Sequence, residues 1–419
     1  MPFFTKMTSR LRLVLLGLLL VTTLVTPTIG GAVGVYLGLA AALVSLIVAF
    51  DREYLVRALG DWGVRAILLA FAVLTMAFIL SARTADDSMA FVDFLALPLI
   101  VPAYALAARH SGGVRIELVS QLAFLGCLIS LTVALFQVQY LGMERAEGQT
   151  VSIFFADIAA LLGFFCLLGF SVVQSRWRWL YILGHAAGLA ACMAGGSRGA
   201  LIGYVVLYSC FMAFTLTQGR GSLRKRLLLL AAIPVLSLGL SQVLFKTDRV
   251  LTVLSVLGEA AFTGRTESDE SATHRLAFWQ GGVGAFLQSP IYGNGWWRRY
   301  DAAVPFMPND GQDRTWSDDT SHLHNDIINF ASAAGAMGVV AYLMLMAAPV
   351  ISAWRSPLTP RRPHRLLAAS GLSLGYIAFG LTDTMFVFEV PKSMFVLCAA
   401  VVMAFMLEPS DNTDSEREV

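Results

Sequence analysis

Charge is scarce in this sequence. Asp, Glu, Lys and Arg make up 14% of the 419 residues against 57% hydrophobic ones, where a soluble globular domain carries about a quarter charged residues. That excludes a water-soluble enzyme and a disordered chain. Cysteine supplies no framework either. The five residues Cys127, Cys166, Cys192, Cys210 and Cys398 lie in or beside apolar runs at no paired spacing, which excludes a secreted disulfide scaffold and leaves them as small core residues. Neither sign of charge dominates, and the net +2 gives no case for nucleic-acid binding. No internal repeat is evident, and no second domain able to fold alone.

Long apolar runs fill the chain instead, each near the ~20 residues that cross a bilayer as a helix. Twelve can be marked, at about 12–29, 32–50, 64–81, 91–108, 117–140, 151–173, 178–196, 199–217, 227–245, 326–351, 366–382 and 391–407. The first has no small-residue cleavage site, so it reads as a span and not a signal peptide. Basic residues alternate sharply between the connections. Nineteen lie on one side, from Lys6, Arg10 and Arg12 to Arg361, Arg362, Arg365 and Arg417. The short connections of the other side hold only Arg83, Arg145, Arg198 and Lys392. Loops rich in Lys and Arg stay cytoplasmic, so both termini are expected inside. The expected organisation is all-α and polytopic: 1–245 with helices one to nine, an outer loop at 246–325, 326–407 with helices ten to twelve, and a cytoplasmic tail at 408–419.

The outer loop is the exception in an otherwise economical bundle, and a loop of that length points to function. It is expected to hold a helix at 273–288, with Thr273 as cap and Pro290 beyond its end. The turn Ser289-Pro-Ile-Tyr-Gly-Asn-Gly295 follows, then Trp296-Trp297, aromatics suited to a membrane–water boundary. The Asp-rich stretch 301–319 is expected to form a lid or a solvated loop.

Candidate chemistry gathers at the outer ends of the spans. Arg198 sits in Gly195-Gly-Ser-Arg-Gly-Ala200, and Gly195, Gly199 and Gly203 recur every four residues, a spacing that lets helices approach closely. It either snorkels to headgroups or is held facing the bundle, where ionisable groups are costly and functional. Arg275 opens the loop helix, where a surface arginine would be unremarked on its own. His322-Leu-His324-Asn-Asp326 leads into span ten, and Asn325, Asn329 and Ser332 draw a polar stripe along it that must face protein or water. The stripe suits interhelical hydrogen bonds. A metal site from Asp318, Asp319, His322, His324 and Asp326 is a rival, without an HExxH or second His cluster to complete it. Asp157, Asp383 and Glu389 also map to outer ends, to pair with arginines or to orient a substrate hydroxyl.

In this order and frame, Gly-Ser-Arg-Gly-Ala-Leu-Ile-Gly203, then Arg275 and Trp279 ahead of Ser-Pro-Ile-Tyr-Gly-Asn-Gly295, then His324-Asn325 ahead of Gly335-Ala-Met-Gly338, resemble the motifs of the O-antigen ligase superfamily. The resemblance implies a fold similar to GT-C glycosyltransferases in the bacterial inner membrane, with a periplasmic loop and active site. It also implies metal-independent transfer of a glycan from undecaprenyl pyrophosphate to lipid A–core, with no cofactor. The matching functional residues fall on Arg198, Arg275 and His324, with Arg265, His322, Asn325, Asp383 and Asp157 as further substrate-binding candidates. A monomer among membrane lipids is expected. The rivals are an O-antigen polymerase or a protein oligosaccharyltransferase using the same donor, and, in a different class, a twelve-span transporter or lipid flippase.

Overall fold

The computed structural model describes residues 2–48, 51–108, 116–173, 175–219, 222–245, 270–308 and 322–404. Among them every regular element is helical: α1 (Pro2–Leu24), α2 (Pro27–Val48), α3 (Arg52–Gly60), α4 (Trp62–Ser81), α5 (Ala85–Ala108, partly 3-10), α6 (Ile116–Tyr140), α7 (Ser152–Val172), α8 (Trp179–Gly195), α9 (Arg198–Gln218), α10 (Leu223–Phe245), α11 (Glu270–Gln288), α12 (Asp326–Arg355), α13 (Arg362–Thr382) and α14 (Glu389–Ala404). Nine of these, α2, α4 to α7, α9, α10, α12 and α13, are long and apolar enough to cross a membrane. The other three expected spans coincide with α1, whose first half carries Lys6, Arg10 and Arg12, and with α8 and α14, which are 17 and 16 residues long. The protein is all-α and polytopic. Its outward face is apolar, with Ile47, Val235 and Val243 exposed, as lipid contact allows.

The bundle is organised around α7. In that helix 94% of the most apolar window is buried, by packing on α6, α8, α9 and α13. A helix apolar all round belongs at the centre, and α7 carries Asp157 there, 2% exposed. A second axis is α12, which packs on α4, α13 and the loop helix α11. The glycines spaced for close approach are used that way. A Cβ on Gly199 would meet Thr382 Oγ1 at 2.1 Å, one on Gly203 would meet the Phe379 ring at 2.1 Å, and one on Gly195 would meet Ala156 Cβ at 2.9 Å. Helix α9 therefore lies directly on the last two turns of α13.

Two helices are broken, and each break receives a loop. In α12, Gly335 adopts φ 61 inside the helix. Across this break Ala336 N and Met337 N donate to Pro290 O (2.8 Å) and Ile291 O (3.2 Å), while Asn294 N and Gly295 N donate to Ser332 O (3.0 Å) and Ala333 O (2.9 Å). The turn Ser289–Gly295 thus satisfies the backbone groups the break releases, which lipid could not do. In α2, Gly31 has φ 49 and faces Gln149 O, and Gln149 N donates to Thr28 O at 3.1 Å. At Gly335 a Cβ would lie 2.6 Å from Ile291 O, and a left-handed residue with a side chain costs about 1–2 kcal/mol. Gly335→Ala is expected to lower the Tm of the purified protein by several degrees, and an unchanged Tm would show that the docked turn does not support the bundle.

Some boundaries move. The first two spans, expected to part near 30–31, part at Val25–Thr26, because Pro27 starts α2 at the position proline favours and Gly31 absorbs a bend inside the helix. The loop helix begins at Glu270, so Thr273 is inside it and does not cap it. Trp296 is no boundary residue: it is 2% exposed, with Phe78, Phe94 and Phe330 around it at centroid distances of 4.8–5.9 Å. Trp297 alone is exposed, donating to Asp93 Oδ2 at 3.1 Å. Residues 301–308 do not form a free lid, since Ala303 and Met307 join Phe278, Ala285, Tyr300 and Leu323 in a small separate core under α11. Residues 309–321 lie outside the described residues.

Candidate active site

Three side chains converge where α12 begins and α13 ends. His322, His324 and Asp383 bring ligand atoms within 4.8 Å of one another. Their positions follow from local structure. Asn325 caps α12, its Oδ1 accepting from Ile328 N (3.1 Å), and its Nδ2 donates to Leu381 O (3.1 Å). One amide therefore ties the start of one helix to the end of the other and sets His324 opposite Asp383. Asp326, fully buried, accepts from Met385 N and Phe386 N and holds the turn after Asp383. That engagement removes it from the metal set considered above, and Asp318 and Asp319 lie outside the described residues.

His324 has φ 46, the one non-glycine residue of positive φ among the described residues. Such strain persists only where the surroundings fix it, and it concentrates at functional sites. The fixing groups are visible. The imidazole stacks on Phe278 at 5.8 Å and 14°, and Trp279 Nε1 donates to His324 O at 3.4 Å. Its Nδ1 lies 3.3 Å from Asp383 Oδ1, a close contact that departs from hydrogen-bond alignment. The other ring nitrogen, Nε2, is then the one left for a substrate.

His322 packs 4.3 Å from His324, centroid to centroid, and against the edge of Phe388. Burial pushes its pKa down to about 4, helped by the neighbouring His324 and by Arg299 and opposed by Asp383. It is therefore neutral at pH 7 and could share a metal ion with His324 and Asp383, the donors of an N/N/O site.

The arginines approach on separate elements. Arg198 is the first residue of α9, after Gly196 in the left-handed conformation (φ 66) and the capping Ser197, whose side chain accepts from Ala200 N. Gly199 against Thr382 places this turn beside Asp383. Arg275 precedes Phe278 and Trp279 by three and four residues on α11, on the helix face that meets His324. Arg198 and Arg275 are half-buried. Arg265 lies outside the described residues. Asp157 is buried beside Asp383, and neither of its carboxylate oxygens has a hydrogen-bond partner among the described residues.

Two basic residues escaped the sequence reading as site candidates. Arg299 is 4% exposed, donates to Asn329 Oδ1 (3.1 Å), and lies over the Trp296 ring at 4.3 Å. Burial lowers its pKa to about 10, so it stays charged. Asn329 also accepts from Leu323 N, which links Arg299 to the backbone between the two histidines. Arg145, in the loop docked on α2, lies over the left-handed Gly196, 3.5 Å from a Cβ placed there. The signal for it was already present, as one of only four basic residues in the short outer connections. The polar stripe is fully engaged: Asn329 Nδ2 donates to Asn325 O and Ser332 Oγ to Arg299 O.

Residues 183–343 match the family model described as O-antigen ligase. No curated protein matches the chain. The matched segment holds Arg198, Arg275, His322 and His324, while Asp157 and Asp383 lie outside it.

Proposed function

From the match of residues 183–343 to the O-antigen ligase family model, we propose that this protein is an inverting glycosyltransferase. It moves O-antigen glycan from undecaprenyl pyrophosphate to lipid A–core, at the periplasmic face of the inner membrane. The observation that carries the reading is the strained His324, whose Nδ1 faces Asp383 Oδ1 at 3.3 Å. A carboxylate there favours the Nδ1–H tautomer and stabilises the imidazolium, leaving Nε2 as a general base. The acceptor hydroxyl gives its proton to Nε2 as its oxygen bonds to the anomeric carbon. The bond from that carbon to the pyrophosphate oxygen breaks on the opposite face, inverting the centre.

The departing pyrophosphate carries the developing negative charge. Arg198 and Arg275 offer planar, permanently charged forks that pair with phosphate oxygens bidentately and act where charge accumulates. Arg265 and Arg145 are further candidates for the same diphosphate. Asn325 serves chiefly as a positioning residue, Asp383 orients the His324 ring, and His322 and Asp157 are assigned to the acceptor side. The charge asymmetry supports the periplasmic side of this reading, since the site lies at the arginine-poor end of the bundle.

The direct test mixes purified protein with defined lipid-linked glycan and lipid A–core and reads the acceptor by gel shift. A deletion strain separates the nearest rival. Rough lipopolysaccharide with accumulated lipid-linked chains fits a ligase, and cores bearing single repeat units fit a polymerase. The cluster of two histidines and a carboxylate gives the metal reading its own support. Transfer is expected to persist at full rate in excess EDTA, and inactivation reversed by added zinc would assign the cluster to a metal.

A further inference from the structure

One side chain holds the backbone on both sides of the strained histidine. Asn329, fully buried in the first turn of α12, accepts at Oδ1 from Leu323 N (3.1 Å) and donates from Nδ2 to Asn325 O (2.8 Å). His324, at φ 46, lies between those two residues. The amide can make both bonds in one orientation only. Turned over, its NH2 group would meet an N–H and its oxygen would meet a carbonyl. A backbone conformation of this kind persists where the surroundings over-determine it, and Asn329 joins Phe278 and Trp279 in doing so.

Arg299 fixes the same orientation from the other side. Its Nε donates to Asn329 Oδ1 at 3.1 Å, a charge-assisted bond that the oxygen end of the amide alone can accept. The guanidinium is itself anchored. It lies 4.3 Å from the Trp296 ring centroid, Nη1 donates to Trp296 O, and the Arg299 carbonyl accepts from Ser332 Oγ at 2.7 Å. Trp296 in turn is wedged among Phe78 of α4, Phe94 of α5 and Phe330 of α12. A connected path therefore runs from this aromatic core, through the guanidinium and one amide, to the backbone that carries the imidazole.

We propose that Arg299 is a positioning residue for His324. Acting through Asn329, it holds the segment from His322 to Asn325 so that the ring faces Asp383 on one side and the acceptor on the other. Its effect on transfer rests on the reading of His324 as the base. A displacement of about 1 Å, imposed from outside the reacting groups, can cost as much as about 10²-fold in rate.

Two readouts test this in the full-length protein, with circular dichroism confirming that each variant is folded. In transfer assays Arg299→Met is expected to lower kcat roughly 10- to 10²-fold and leave the KM for the lipid-linked donor within about twofold. Arg299→Lys, which keeps a charged donor for Asn329 Oδ1, should recover most of the rate. The double variant Arg299→Met/Asn329→Ser should be no slower than Asn329→Ser alone, since both changes cut one path. The second readout needs no transfer. Diethyl pyrocarbonate modification of each histidine is followed by mass spectrometry at about pH 8, above the ordinary imidazole range. The His324 side chain is 25% exposed and open to the reagent. Its modification is expected to quicken severalfold in Arg299→Met and Asn329→Ser, while His364, at the other end of α13, keeps its rate. Should Arg299→Met not fold, Asn329→Ser decides by the same two readouts. An unchanged His324 rate in a folded variant overturns the proposal, as do additive losses in the double variant or a loss confined to KM. Faster modification with normal transfer would uphold the positioning and remove His324 as the base, so the two readings fail separately.

Discussion

Glycan transfer by a His324→Ala protein is expected to fall about 10²–10⁴-fold in kcat at neutral pH, the usual worth of a general base. The structure makes this variant less clean than it looks. His324 sits at φ 46, where alanine keeps the backbone strain but loses the stacking on Phe278. His324→Gly removes the ring and fits the left-handed backbone, so its Tm should stay near that of the unmodified protein. The two variants together separate chemistry from stability. If both lose transfer while the glycine variant melts normally, the loss belongs to the imidazole. Transfer at the normal rate in either one would remove His324 as the base. Asp383→Asn should produce a smaller fall, because the aspartate acts only through the ring it faces at 3.3 Å.

The second large effect concerns the diphosphate. Arg198→Lys and Arg275→Lys keep a positive charge but lose the planar fork, and each is expected to lower kcat about 10²–10³-fold, the scale of removing one preorganised donor to a developing anion. A clamp that acts on the leaving group should depress kcat more than it raises the KM for the lipid-linked donor. A change confined to KM would make these arginines simple anchors. Normal kinetics in both lysine variants would move the diphosphate elsewhere, with Arg145 and Arg299 the next residues to substitute.

The membrane architecture was legible because lipid imposes a rule on every residue of a span. Nine of the twelve expected spans fall on helices that meet the length and apolarity of a crossing segment among the described residues. What escaped the sequence depends on partners far away in the chain. Gly30-Gly31 looks like a turn between spans, but whether it ends a helix or bends one is decided by Gln149. Trp296 looks interfacial until Phe78, Phe94 and Phe330 surround it. At the site, the His-x-His pair and Asn325 were readable from spacing alone. The convergence of Asp383 on His324 was not, since it needs the Asn325–Leu381 bond across 56 residues. Arg299 carries no signal of its own in the sequence, because its burial depends on Asn329 and Trp296.

The turn Ser289–Gly295, bonded into the gap of α12, bears on how this protein can be re-engineered. An extramembrane segment fastened through backbone groups on both sides of Gly335 is not an exchangeable cassette. A chimera that imports the corresponding segment from a homologue must bring residues 332–338 with it, or the bundle loses the partner that closes its own helix. Grafts into this scaffold therefore have a minimum size, set by the seam.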